Sequence, residues 1–167
     1  MGLEEEIKWV IELMSLWVMK IKTSNYLDFY DINRVAEGLA LKLLNEIYGL
    51  QLKNLNEEKS NYPGIDLGDE INKIAFQVTS RCDSRKIQES LEAFIKEDKK
   101  IYANGIRFLI LNENKPKSSG KKWQETDADF DSKKHIITYL DLIKKIKQLF
   151  IIKWECYSRD LATMRQP

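Results

Sequence analysis

Asp66 and Gln77 carry the oxygens on which this sequence could do chemistry. They lie in two short segments, Tyr62-Pro63-Gly64-Ile65-Asp66 and Ile74-Ala75-Phe76-Gln77-Val78-Thr79, with a few turn-forming residues between them. Strand alternation along the second segment sets Gln77 and Thr79 on one face, about 6–7 Å apart, and sends Ile74, Phe76 and Val78 to the other. If the two segments pair as neighbouring strands, Asp66 comes close to Gln77. A carboxylate and an amide oxygen converging on a sheet face suit a hard cation such as Mg²⁺, which takes few protein oxygens and keeps its waters. Gly64, beside the aspartate, leaves room for a phosphate backbone to approach.

Composition removes most other chemistries. The chain has 167 residues, a single histidine, His135, and two isolated cysteines, Cys82 and Cys156. One histidine leaves no His-ligated metal or His-based triad, and isolated cysteines exclude a disulfide scaffold and a CxxC zinc site. Cys82 has no base in reach but His135 and reads as an inert thiol. Asp127, Asp129 and Asp131 open like an EF-hand loop, but Ser132 stands where glycine is required and Thr138 where the closing glutamate belongs. With 27 Lys+Arg against 26 Asp+Glu, the net charge of +1 provides no global basic footprint. A nucleic-acid role must therefore come from a local patch.

Two such patches stand out. Thr79, Ser80, Arg81, Ser84, Arg85 and Lys86 place hydroxyls and cations ahead of a helix N-terminus, which is either a phosphate-binding rim or a capped helix with a solvated first turn. Lys121 and Lys122 adjoin Trp123, a pairing that could grip a nucleic-acid strand or simply face water.

The elements that must position these residues follow from periodicity. Residues 7–21 form a helix whose polar side chains, Lys8, Glu12 and Ser15, make one narrow stripe, so it should be buried on most sides. It packs across the core or also covers a partner subunit or neighbouring domain. At fewer than about 20 residues, and with charges inside, it is no membrane span. A second helix runs from an N-cap at Asp31 to Tyr48, with Gly49 as its stop and Ile32, Val35, Ala36, Leu39, Leu43 and Ile47 as its core stripe. Glu37 sits off that stripe among Ala40, Leu41 and Leu44, either at an edge or held for a purpose.

Strands are expected at residues 50–55, 65–67, 73–79, 106–111 and 135–139, with a turn at Gly68-Asp69-Glu70. Helices are expected after a cap at Asp83 or Ser84, and after one at Asp141. Residues 112–134 read as a long mobile loop, basic and then acidic. The order implies an α/β fold with a mixed central sheet and helices on both sides, preceded by an extra apolar helix, all within one domain. That domain divides into a helix and linker at 1–30, a core at 31–111, the loop, and a strand and helix at 135–167. Residues 154–164 continue an amphipathic pattern, as if leading into a following domain. No signal peptide is visible and the composition suits a cytoplasmic protein.

The acidic helix, then Pro63 and Asp66 on one strand and Gln77 on the next, then helix and strand, resembles the PD-(D/E)xK, or restriction-endonuclease-like, superfamily over residues 31–111. Within it, Tyr62-Pro63-Gly64-Ile65-Asp66-Leu67-Gly68-Asp69 with Ile74-Ala75-Phe76-Gln77-Val78-Thr79-Ser80 is similar to SMEK domains, N-terminal modules of bacterial conflict-system proteins. The resemblance implies a restriction-endonuclease-like core and Mg²⁺- or Mn²⁺-dependent cleavage of DNA in a bacterial defence protein. Asp66 and Gln77 would hold the metal, with Glu37 in support. Thr79 stands where that superfamily usually has lysine, and its hydroxyl supplies no positive charge for the transition state. Lys86 and Arg85 rank first as replacements, ahead of Arg81 and Lys73. The alternative is a catalytically degenerate nuclease fold that binds nucleic acid or assembles with proteins, as a homo-oligomer or against a C-terminal domain through the helix at 7–21.

Overall fold

The computed structural model describes residues 2–59, 62–116 and 130–163. Helix α1 (Leu3–Tyr26) starts on Glu4, Glu5 and Glu6, which complement the positive end of its dipole. It buries only Met14, Val18 and Ile21, spaced i, i+4, i+7. Trp9, Ile11, Leu13, Leu16 and Met19 remain exposed, so the helix is covered along one stripe and not on most sides. Helix α2 (Asp31–Tyr48) is capped at Tyr30 rather than Asp31, with no side-chain cap bond, and stops at Gly49 in the left-handed conformation at φ 65°. Its buried face is Ala36, Ala40, Leu44 and Ile47. The expected stripe is thus rotated: Val35 and Leu39 point outward, because alanines let the helix lie close against Phe76 and Val78 of the sheet.

Strand β1 is only Lys53–Asn54. The run expected to continue to Leu55 is broken because the Asn54 side chain accepts the Asn56 N–H and caps a one-turn helix, α3 (Leu55–Glu58). Strands β2 (Leu67–Asp69) and β3 (Ile74–Thr79) form the hairpin that the sequence implied, β2 two residues later than expected and β3 starting one residue later. Gly68 and Asp69 belong to β2, and the turn runs through residues 70–73. Helix α4 (Ser84–Glu97), capped by the Asp83 carboxylate on the Lys86 N–H, crosses over to β4 (Ile106–Ile110). A short helix α5 (Ser132–His135) precedes β5 (Ile136–Thr138), where the sequence suggested loop and a longer strand. Helix α6 (Tyr139–Thr163) starts on reciprocal bonds between Thr138 and Asp141.

The sheet order is β1-β2-β3-β4-β5, antiparallel from β1 to β3 and parallel from β3 to β5. The parallel β3–β4 pair requires a crossover, which α4 provides. Both faces are covered. Phe76, Val78 and Leu109 pack with α1, α2 and α6, while Ala75, Phe108 and Ile110 pack with Ile87, Leu91 and Phe94 of α4. The face that carries Gln77 is therefore a second core as well as a site. Among the described residues, no helix is long and apolar enough to cross a membrane.

Candidate metal centre in a polar cleft

Asp66 is fixed by its own backbone before its side chain does anything. Its N–H donates to Phe76 O at 2.8 Å and its carbonyl accepts Leu55 N–H at 2.9 Å, so it is locked between the start of α3 and β3 just ahead of β2. One carboxylate oxygen, Oδ2, accepts the Val78 N–H at 2.7 Å and the amide of Gln77. The other, Oδ1, accepts Asn56 Nδ2 at 3.2 Å, and that same amide nitrogen donates to Glu37 Oε2 at 3.2 Å. Asn56 thus holds two carboxylates together, no further apart than twice that distance, while its own oxygen accepts the Tyr62 N–H at 2.9 Å. Gln77 is buried, with Oε1 accepting Ser90 Oγ–H at 3.5 Å.

Burial is the main force on Asp66 and raises its pKa. The Val78 N–H and Asn56 lower it, Glu37 raises it, and Lys86 lowers it by simple attraction, leaving the carboxyl at about 6. A buried acid beside a second carboxylate, with its pKa up in that range, is a site short of positive charge.

The side chains open onto a cleft of about 420 Å³, walled by Arg34 and Glu37 of α2, by Asn56 and Tyr62, and by Lys86. A second lobe of about 440 Å³ shares Glu37, Asp66, Gln77 and Lys86 and extends to Thr79, Ser80 and Arg81. Of the residues expected from sequence, Asp66, Gln77, Glu37 and Lys86 come together, with Glu37 half-buried on the cleft wall. Thr79 lines the second lobe, its hydroxyl accepting Arg81 N–H at 3.1 Å. Arg81 also lines it, but its guanidinium is tied to Asp83 at 2.9 and 3.2 Å. Arg85 lies along α4 against Glu89 at 2.9 Å and lines neither lobe, nor do Ser84 and Lys73. Lys121 and Lys122 lie outside the described residues.

Gly64 lines the cleft beside Asp66 and also serves the packing. It stands at φ +79°, and a Cβ there would come within 2.7 Å of Ala93 Cβ and 3.0 Å of Ser90 O. The glycine lets this loop press against α4. Three contributors escaped sequence reasoning: Asn56, Ser90 and Arg34. Ser90 left a trace, as a polar residue within the buried stripe Ile87-Leu91-Phe94. The thiol of Cys82 donates to Asn114 O, and burial raises its pKa, as an inert cysteine requires.

Among the described residues, no cluster of three His, Cys, Asp or Glu exists to hold a metal. The donor set is instead two carboxylates and one amide. As placed, the Gln77 amide donates to Asp66 Oδ2 and to the Val78 carbonyl. A half-turn would give up both bonds and present its oxygen beside Asp66, the all-oxygen donor set on which Mg²⁺ or Mn²⁺ would fit.

A family model for the SMEK domain matches residues 9–147. No curated protein and no solved structure matches the chain.

Proposed function

The chain belongs to the SMEK-domain family, and we propose that its cleft binds Mg²⁺ or Mn²⁺ and hydrolyses a phosphodiester of DNA, as a diverged PD-(D/E)xK nuclease. The observation that carries this reading is the Asp66–Asn56–Glu37 bridge, which sets two carboxylates side by side at the base of an open cleft. Asp66 and Gln77 hold the cation, and Glu37 contributes the second negative charge. The chemistry supplied by a cation there is Lewis-acid polarisation of a phosphoryl oxygen and activation of the attacking water. Lys86, on the first turn of α4, provides the positive charge that Thr79 lacks, aimed into the same cleft. In this reading the domain is the effector or targeting module of a bacterial defence protein. The exposed apolar side chains of α1 would meet a second copy or a partner domain.

One feature favours a second reading, in which the site is degenerate and only binds. Gln77 donates its amide to Asp66, and the Thr79 hydroxyl is occupied by the Arg81 N–H. Supercoiled plasmid separates the two. With Mg²⁺ or Mn²⁺, wild-type protein nicks or linearises it, and Asp66→Ala and Lys86→Ala lose that activity. Cleavage by Asp66→Ala at the wild-type rate rejects the catalytic reading. DNA binding without cleavage under either metal selects the degenerate one.

A further inference from the structure

We propose that the corner between α1 and α2 is a stacking platform for unpaired bases, so that the strand delivered to the Asp66 cleft is single-stranded DNA. Three aromatic rings stand out of this corner: Tyr26, Phe29 and Tyr30 are 86, 65 and 60% exposed. Rings so far out in water are placed there at a cost that burial elsewhere would have avoided, and their backbone is not loose. Leu27 N–H donates to Thr23 O at 3.2 Å and Phe29 N–H to Ser24 O at 2.9 Å, closing the end of α1, and Asp28 takes a left-handed φ of +60°. The Tyr30 hydroxyl donates to Asp28 Oδ1 at 2.6 Å, so that ring is tethered by its edge.

The platform is continuous with the cleft. Tyr30 lines both lobes, and Arg34, one helical turn further, lines the lobe that holds Glu37 and Asp66. Arg34 has no hydrogen-bond or ion-pair partner among the described residues, and the Lys86 ammonium on the opposite wall makes no ion pair there either. Across the cleft Arg34 and Lys86 offer two cations to a phosphate backbone, beside the carboxylates of Asp31, Glu37 and Asp66, and rings at its mouth suit bases. In a duplex the base faces are already stacked, leaving an aromatic corner nothing to stack on; an unpaired strand offers every face.

This deepens the nuclease reading by naming its substrate, and rests on that reading for what the cleft does. The test is fluorescence anisotropy at low salt in EDTA, with labelled oligothymidine, the matching duplex, and oligouridine. Oligothymidine is expected to bind about tenfold or more tighter than duplex, and Phe29→Ala with Tyr30→Ala to weaken it by about tenfold to a hundredfold. Equal affinity for duplex, or unchanged binding by the double variant, overturns the platform. Tighter binding of oligouridine overturns the assignment to DNA. A self-associating wild type that binds no oligothymidine, and whose association the double variant abolishes, makes the corner a protein contact instead. Because EDTA removes the cation, failure to cleave labelled oligothymidine under Mg²⁺ or Mn²⁺ with this binding intact rejects only the nuclease, whereas cleavage without this binding rejects only the platform.

Discussion

Asp66 lies just ahead of strand β2 and Asp69 ends it; both are buried, yet the protein treats them in opposite ways. Asp69 accepts four hydrogen bonds: Gln51 N–H at 2.7 Å, Ile71 N–H at 2.9 Å, Asn72 N–H at 2.8 Å and Asn72 Nδ2 at 2.7 Å. Burial pushes its pKa up, but the backbone and side-chain donors outweigh that and hold it below the ordinary carboxylate range. Asp66 has one backbone donor, two side-chain amides and Glu37 as a neighbour, and its pKa stands at about 6. The contrast lies in what compensates the charge. Three backbone N–H groups make Asp69 a structural anion that closes the β2–β3 turn. Movable side chains and a second carboxylate make Asp66 an anion still lacking a partner.

The contrast breaks most directly by making both residues amides. In Asp69→Asn the new NH₂ must face a donor whichever way it turns, because both Asp69 oxygens accept. Urea unfolding at pH 8 should show a loss of about 3 kcal/mol, the cost of leaving buried donors unsatisfied. Asp66→Asn at the same pH should lose less: its new NH₂ also meets a donor, but at the Oδ1 position only the Asn56 amide, and the substitution removes a buried charge with a single backbone donor. Equal losses from the two substitutions would erase the distinction.

The pH dependence sharpens it. Because the folded Asp66 pKa lies above its unfolded value, folding takes up a proton between about pH 4 and 6. The stability this gives is fully present at the acid end and is lost as pH rises through about 6, a change on the order of 3 kcal/mol. Asp69 runs the other way: its folded pKa is depressed, so its contribution is present at neutral pH and lost on acidification below the ordinary aspartate range. Stability curves of wild type and Asp66→Asn should therefore separate between about pH 4 and 6, the wild type falling relative to the variant, and run parallel above that. A constant offset from about pH 4 to pH 8 would mean that Asp66 is not the acid described.

The same contrast shows what the sequence made legible. Alternation along β3 was enough to put Gln77 opposite Asp66, and a carboxylate among apolar residues was enough to mark Glu37. Asn56 was invisible because its role depends on where the one-turn helix α3 carries it, and no periodicity encodes that path. The face of α2 was misjudged for a related reason: hydropathy ranks valine and leucine above alanine, whereas close packing on the sheet selects Ala36 and Ala40. At the α1–α2 corner, helix periodicity simply stops, so the aromatic residues there carried no expectation although their types were plain. Strand boundaries slipped where a side chain, Asn54 or Asp69, competes with the ladder for backbone N–H groups.

The smallest expected effect isolates the missing partner of Asp66. A divalent cation that binds the folded protein raises its stability by mass action, about 1 kcal/mol at roughly five times Kd. Since the cation needs the ionised carboxylate, a thermal shift with Mn²⁺ should be present at pH 7.5 and fade near pH 5, where Asp66 is protonated. Glu37→Gln should reduce the shift and Asp66→Asn abolish it. Asp69→Asn, though less stable throughout, should show the full increment, because its four donors leave no oxygen free for a metal. An increment that persists at pH 5, or survives in Asp66→Asn, would place the cation elsewhere and leave Asp66 as a buried acid without a ligand.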